Sequence, residues 1–156
     1  MTQTAVALSV NARSEIVEAL NQSVAETAVT TMLAQNFHWN VTGMAFGPLH
    51  DLFQKIYEDH FEAQDDLAER IKALDAHAEG TLAGMLKRSK IAEHDGHASD
   101  KDMIKAMQVA QETLAATLAG AGEVAAGHGD TLTEDLCIAR GQTHEKFAWF
   151  LRSHLA

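Results

Sequence analysis

The sequence predicts an all-α fold, a bundle of four long helices with one long crossover that carries a short helix of its own. Three observations lead there. Hydrophobic residues make up 46% of the 156-residue chain, against a single proline and ten glycines, a composition that suits helices better than sheets or disorder. Apolar residues recur at three- and four-residue spacing through four long stretches. The connections between those stretches run short, long, short. The length fits one domain able to bury a good core, expected as a loose N-terminal tail over residues 1–12 and a bundle over 13–156.

The first helix is expected to start near Asn11 or Ser14, both good caps, and to run to about Val41, with Ile16, Leu20, Val24, Ala28 and Met32 on one side. Gly43 ends it, and Pro48 suits the first turn of a second helix, so the two should form an antiparallel hairpin. That second helix is expected to reach Gly80. The nineteen residues Thr81 to Ser99 then form a connection long enough to cross the bundle, with a short helix around Leu82 to Lys87. Ser99 and Asp102 resemble a capping box for a third helix that turns Met103, Met107, Ala110, Leu114 and Leu118 inward and frays near Gly120, Gly122 and Gly127. After a turn at Gly129 and Asp130, Thr131 and Glu134 form a second capping box, and a fourth helix runs nearly to the C-terminus. Four helices joined in this way have the ferritin-like topology rather than the simple up-and-down one.

The second helix has two faces. At 100° per residue, Leu49, Leu52, Phe53, Ile56, Ala63, Leu67, Ile71 and Leu74 form the apolar stripe that covers a core. Rotated by roughly 140° from it, His50, Gln54, Tyr57, Phe61 and Asp65 form another, with Glu69 at its margin. Histidine and carboxylate together suit iron or zinc. His50 and Asp65, however, are fifteen residues apart, about 22 Å along a helix axis, so one chain cannot close such a site. Two copies crossing antiparallel about a two-fold axis near Tyr57 and Glu58 would bring His50 of one to Asp65 and Glu69 of the other, giving two identical sites per dimer. A carboxylate di-iron centre inside the bundle is disfavoured, because none of the nine histidines has a Glu three positions before it. His60 falls on the core stripe and reads as a hydrogen-bonded core histidine, while His94, His97 and His128 read as solvated loop residues.

Asn36-Phe37-His38-Trp39-Asn40-Val41, then Gly43, His50, and Asp65 followed by Ala68-Glu69-Arg70 form a constellation that resembles the Dps family, the miniferritins first described as DNA-binding proteins of starved cells. The likeness extends over all four helices, including His144-Glu145-Lys146 and Trp149. It implies a dodecameric hollow shell with a ferroxidase centre at each two-fold interface, where ferrous iron is oxidised by hydrogen peroxide or O2 and the ferric product is stored inside as mineral. By matching positions, His38 and His50 would come from one subunit and Asp65 and Glu69 from its mate, with Trp39 close by as an oxidisable ring. Asp130 and Asp135 correspond to acidic residues lining three-fold pores, although Asp130 and Glu134 also suit a helix N-terminus by opposing its dipole. One position departs from the family: four residues after His50 an acid is usual, and here it is Gln54, a neutral and weaker oxygen donor.

Charge limits the partners. Acids exceed bases to give a formal net charge of −10, residues 1–13 carry only Arg13 as a base, and the cluster Lys87, Arg88 and Lys90 is small, so DNA binding is expected to be weak or absent. Alternatives are a shell with an impaired oxidation centre that acts mainly through DNA, or one that holds haem or another metal such as zinc. The single cysteine, Cys137, excludes an internal disulfide and reads as a buried core residue. The mild run Thr4 to Val10 has no preceding Lys or Arg, which argues against a secretory leader, and no stretch is apolar enough to span a membrane, so a cytoplasmic location is expected.

Overall fold

The computed structural model describes residues 7–156. Its elements are α1 (Val10–Asn40), α2 (Phe46–Ala73), the short α3 (Leu82–Arg88), α4 (Asp100–Gly127) and α5 (Thr131–Ser153). They form the expected all-α, ferritin-like bundle: α1 pairs with α2 and α4 with α5 through short links, and the crossover places α3 against α1.

The ends differ from expectation where a local hydrogen bond competes. The first helix begins earlier, because the Ser9 side chain accepts from the backbone N–H of Ala12 at 3.2 Å. Asn11 and Ser14 therefore lie inside α1. Of the proposed tail, residues 1–6 lie outside the described residues, whereas Leu8 and Ala12 are buried in the core. The second helix stops well before Gly80. Asp75 adopts φ +58°, its N–H bonds to Lys72 C=O, and Ala76 N–H bonds to Ile71 C=O, the paired bonds of a Schellman motif with Asp in the left-handed position. Ser99 caps α4 by accepting from Asp102 N–H, as expected. That helix runs unbroken through Gly120 and Gly122; a Cβ on Gly122 would lie 3.4 Å from Cys137 Cβ, so the small residue lets α4 and α5 approach closely. Asp130, not Thr131, caps α5, accepting from Thr133 N–H at 3.1 Å.

The core has two apolar halves. One gathers Leu33, Phe37, Phe53, Ile56, Met103 and Met107, the other Leu20, Val24, Leu67, Ile71, Leu118 and Cys137. On each long helix the residues between these sets include buried polar groups: Glu26 on α1, His60 on α2, Gln111 on α4 and His144 on α5, all 0% exposed. A polar layer thus crosses the middle of the bundle; Glu26 is satisfied separately, accepting from Gln22, Thr117 and the Lys90 N–H, while the other three bond to one another and to their neighbours.

The members on α2, α4 and α5 close into a ring. His60 donates from Nδ1 to Asp59 Oδ2 at 3.0 Å and accepts at Nε2 from the Gln111 amide at 2.9 Å. Gln111 Oε1 accepts from His144 Nδ1 at 2.8 Å, and His144 Nε2 receives a long 3.4 Å contact from Arg140. Arg140 returns to Asp59 with two bonds, 2.7 and 3.1 Å. Each bond of this circuit pairs one donor with one acceptor only if both imidazoles are neutral Nδ1–H tautomers, and the buried Arg140 Nε–H is left without a partner among the described residues. Burial depresses the basicity of both, taking the His144 pKa down to about 2. Burial alone would raise the Asp59 carboxyl, but the hydrogen bonds from His60 and Arg140 hold it well below the usual carboxylate range.

The crossover is tied down at both ends. Asn21 on α1 accepts from Glu79 N–H, while Asn36 donates to the His94 carbonyl at 2.7 Å. Gly96 packs on that Asn36 side chain at φ +83°, where a Cβ would collide with the amide. The Asn36 anchor lies two residues before His38, so the same turn of α1 that leads to the candidate ligands is fixed by the loop.

Candidate metal centre

The hairpin between α1 and α2 sets two histidines face to face. His38 Nδ1 donates to the backbone carbonyl of His50, and His50 Nδ1 donates to that of His38, each at 2.8 Å. The rings stack with centroids 3.7 Å apart and 19° between planes. Only carbonyls face the two Nδ1 atoms, so both carry the proton, and both Nε2 lone pairs are free of hydrogen bonds among the described residues. This is the tautomer and orientation that a metal-ligating histidine needs, with the second nitrogen already anchored. Tyr57 meets His38 edge-on at 5.3 Å, and Phe46 packs against His50 at 5.1 Å, which holds the pair in place.

The two carboxylates of the expected set lie elsewhere. Asp65 and Glu69 are exposed further along α2, and no group of three or more His, Cys, Asp or Glu among the described residues could hold a metal by itself. His38 and His50 are brought together; Asp65 and Glu69 are not brought to them within the chain. The α2 face that carries Asp65 also exposes an aromatic ring, Phe61, at 72%, whereas Trp39, 62% exposed on α1, borders the groove between α1 and α3 with Met32 and Leu86. Gln54 lies one turn beyond His50, half-buried, with its amide nitrogen donating to Glu58 Oε1 at 2.8 Å.

The acids at the start of α5 separate. Asp130 is buried and its carboxylate is committed to Thr133 and to Arg70 Nη2 at 2.9 Å, while Arg70 Nε donates to Thr133 Oγ1. Arg70 follows Glu69, so this pair pins the end of α2 that carries the candidate carboxylates to the start of α5. Asp135 is exposed. His60 is the hydrogen-bonded core residue that its place on the apolar stripe indicates. Sequence reading missed its four companions, Asp59, Gln111, Arg140 and His144. The available signal was the i, i+4 spacing of Arg140 and His144 on an inward face, but which side chains they meet depends on three helices at once. No helix among the described residues is long and apolar enough to cross a membrane.

Comparison with known proteins agrees with this architecture. A family model described as a ferritin-like domain matches residues 17–156. The chain is 32% identical over 141 residues to DNA protection during starvation protein 2 of Bacillus anthracis, an alignment covering 90% of this chain and 97% of that protein. Among solved structures it is similar to the Dps protein of Vibrio cholerae O1, described as a member of a broad superfamily of ferritin-like diiron-carboxylate proteins, with TM-score 0.92, 29% identity and coverage of 100% and 98% of the two chains. It is also similar to Dps of Staphylococcus aureus, with TM-score 0.88, 33% identity and coverage of 90% and 95%. With its ferritin-like domain, its four-helix topology and its likeness to these proteins across nearly their whole length, the chain belongs to the Dps family of ferritin-like proteins.

Proposed function

We propose that this protein is an iron-storing and detoxifying miniferritin, which oxidises Fe²⁺ at sites shared between two copies and keeps the ferric product in a hollow, dodecameric shell. The observation that carries the proposal is the reciprocal His38 and His50 pair, whose Nε2 atoms are both released for a cation on the helix face that also bears Asp65 and Glu69. A two-fold crossing of α2 would bring the carboxylates of one copy to the imidazoles of the other. The site then offers two nitrogen and two carboxylate ligands, a set suited to Fe²⁺ and better still to Fe³⁺. Preference for the oxidised ion is what favours electron loss.

Two Fe²⁺ supply two electrons, and one H2O2 with two protons accepts them to give two waters; O2 is the alternative oxidant. Consuming Fe²⁺ and peroxide together removes the reactants that yield hydroxyl radical. Trp39, exposed beside His38, would intercept one-electron oxidants that leave the site. Fe²⁺ would be drawn inward by the exposed carboxylate of Asp135; Asp130, buried on Arg70, would shape that approach rather than present its charge. A formal charge of −10 goes with weak or absent DNA binding at physiological salt, and the single cysteine suits the reducing conditions of a cytoplasmic location.

The test is Fe²⁺ oxidation with O2 and with peroxide, comparing wild type with His50→Ala and Asp65→Ala. Rapid oxidation lost in both variants, and recovered in part when the two are mixed, is the expected result for a site built from two subunits. Oxidation by wild type no faster than in buffer overturns it.

A further inference from the structure

We infer that Gln54 and Glu58 act as one ligand unit at this centre, with Glu58 a positioning residue that turns the Gln54 amide and strengthens its oxygen as a donor to the second iron; the inference rests on the reading proposed above. Gln54 stands on the His50 face, one turn along α2, and its nitrogen donates to Glu58 Oε1 at 2.8 Å. A carboxylate can only accept, so the nitrogen of the amide must be the atom turned to Glu58. The amide oxygen therefore points away from Glu58, and among the described residues it accepts no hydrogen bond.

Chemistry gives this arrangement its consequence. A neutral amide oxygen is a poor partner for a divalent cation beside imidazoles and carboxylates. A carboxylate bonded to the amide N–H draws the proton toward itself and shifts electron density onto the oxygen, the outer-shell effect that raises ligand basicity in metal sites. Glu58 has no salt-bridge partner among the described residues, so its charge is available to the amide. It lies 40° around the helix from Gln54 on a 3.6-residue wheel, roughly 80° from His50, an angle that suits support of Gln54 rather than direct ligation beside His50. The pair thus restores at one remove the negative charge that Gln54 does not carry.

The assembled full-length protein is titrated with Co²⁺, a redox-stable stand-in for Fe²⁺, and the affinities of the tighter and weaker sites are read by calorimetry and by the cobalt absorption bands. Glu58→Gln is expected to weaken the weaker site by 10- to 100-fold and leave the tighter within two-fold. Asp51→Asn, which removes a charge from an exposed neighbour of His50, should change neither. In a Gln54→Glu background, Glu58→Gln should lose its effect, because residue 54 then carries its own charge. The inference is overturned if Glu58→Gln is silent, if it weakens both sites alike, if Asp51→Asn matches it, or if its effect survives in the Gln54→Glu background. His50→Ala distinguishes the two levels: cobalt binding that survives this change removes the proposed centre itself, whereas binding lost in His50→Ala but untouched in Glu58→Gln removes only the role of Glu58.

Discussion

Acidification should weaken the bundle through the buried ring of Asp59, His60, Gln111, His144 and Arg140, and His144→Leu isolates one member of it. His144 is buried and neutral, with its pKa lowered from 6.5 to about 2. A histidine held neutral in the folded state contributes stability that is fully present above the unfolded pKa and is lost as pH falls from there toward the folded value. Between pH 6.5 and 4.5 the loss is two pH units at 1.36 kcal/mol each, or about 2.7 kcal/mol. His60, whose pKa is lowered for the same reason, adds in the same direction as pH falls below 6.5. Asp59 has the opposite dependence on its own charge: its depressed pKa gives stability above about 3.8 that is lost only as pH falls below it. Against a typical domain stability of about 5–15 kcal/mol, the loss through His144 alone by pH 4.5 is a large fraction of the total.

In His144→Leu the imidazole cannot charge, but Gln111 Oε1 loses its donor, a cost of about 1–3 kcal/mol for a buried unsatisfied group. The variant should therefore be less stable than wild type at pH 7.5, with a shallower dependence on pH by about 1.4 kcal/mol per unit below 6.5, so that the two curves converge near pH 5. Urea unfolding followed by circular dichroism, at fixed protein concentration and 0.2 M salt, measures both. Parallel curves from pH 7.5 to 4.5 would refute the reasoning, because they would mean that His144 either is already charged in the fold or is exposed.

Other expectations concern the joints of the bundle. Arg70→Leu strands the buried Asp130 carboxylate without its cation and should cost about 3–5 kcal/mol in urea unfolding, with Asp130→Asn in the same background recovering part of it. Gly96→Ala places a Cβ against Asn36 at a positive φ and should cost about 1–3 kcal/mol; limited proteolysis would show it first as faster cleavage in the crossover. Burial, with the Asp130 charge adding to it, pushes the Cys137 thiol up to about 11. At pH 8 its thiolate is scarce, so Ellman's reagent should leave the folded protein untouched for hours and label it promptly in urea.

Helix number, order and most inward positions were legible in the sequence, because apolar spacing at three and four residues is a local record of which side of a helix meets the core; Met32, expected inward on α1, is instead 49% exposed. The second stripe on α2 was legible for the same reason, and so was the inability of one chain to close a site over His50 and Asp65. Where each helix stops was less so. Asp75 in the left-handed position ends α2 before any glycine does, since the paired carbonyl bonds of Ile71 and Lys72 compete with another helical turn.

What only the tertiary structure decided depends on residues distant in sequence. His38 and His50 reveal their residue types and spacing, but the reciprocal bonds to each other's carbonyls require the α1–α2 hairpin to set their backbones side by side. Asp130 reads as an acidic helix start; Arg70, sixty residues away, turns it into a buried pair and leaves Asp135 as the exposed acid. His60 alone is a core histidine, and only three packed helices make it one link in a ring of five. Periodicity records how much of a side chain is buried. Which partner satisfies a buried polar group is fixed by where the other helices put theirs, and that geometry exists only once the bundle has closed.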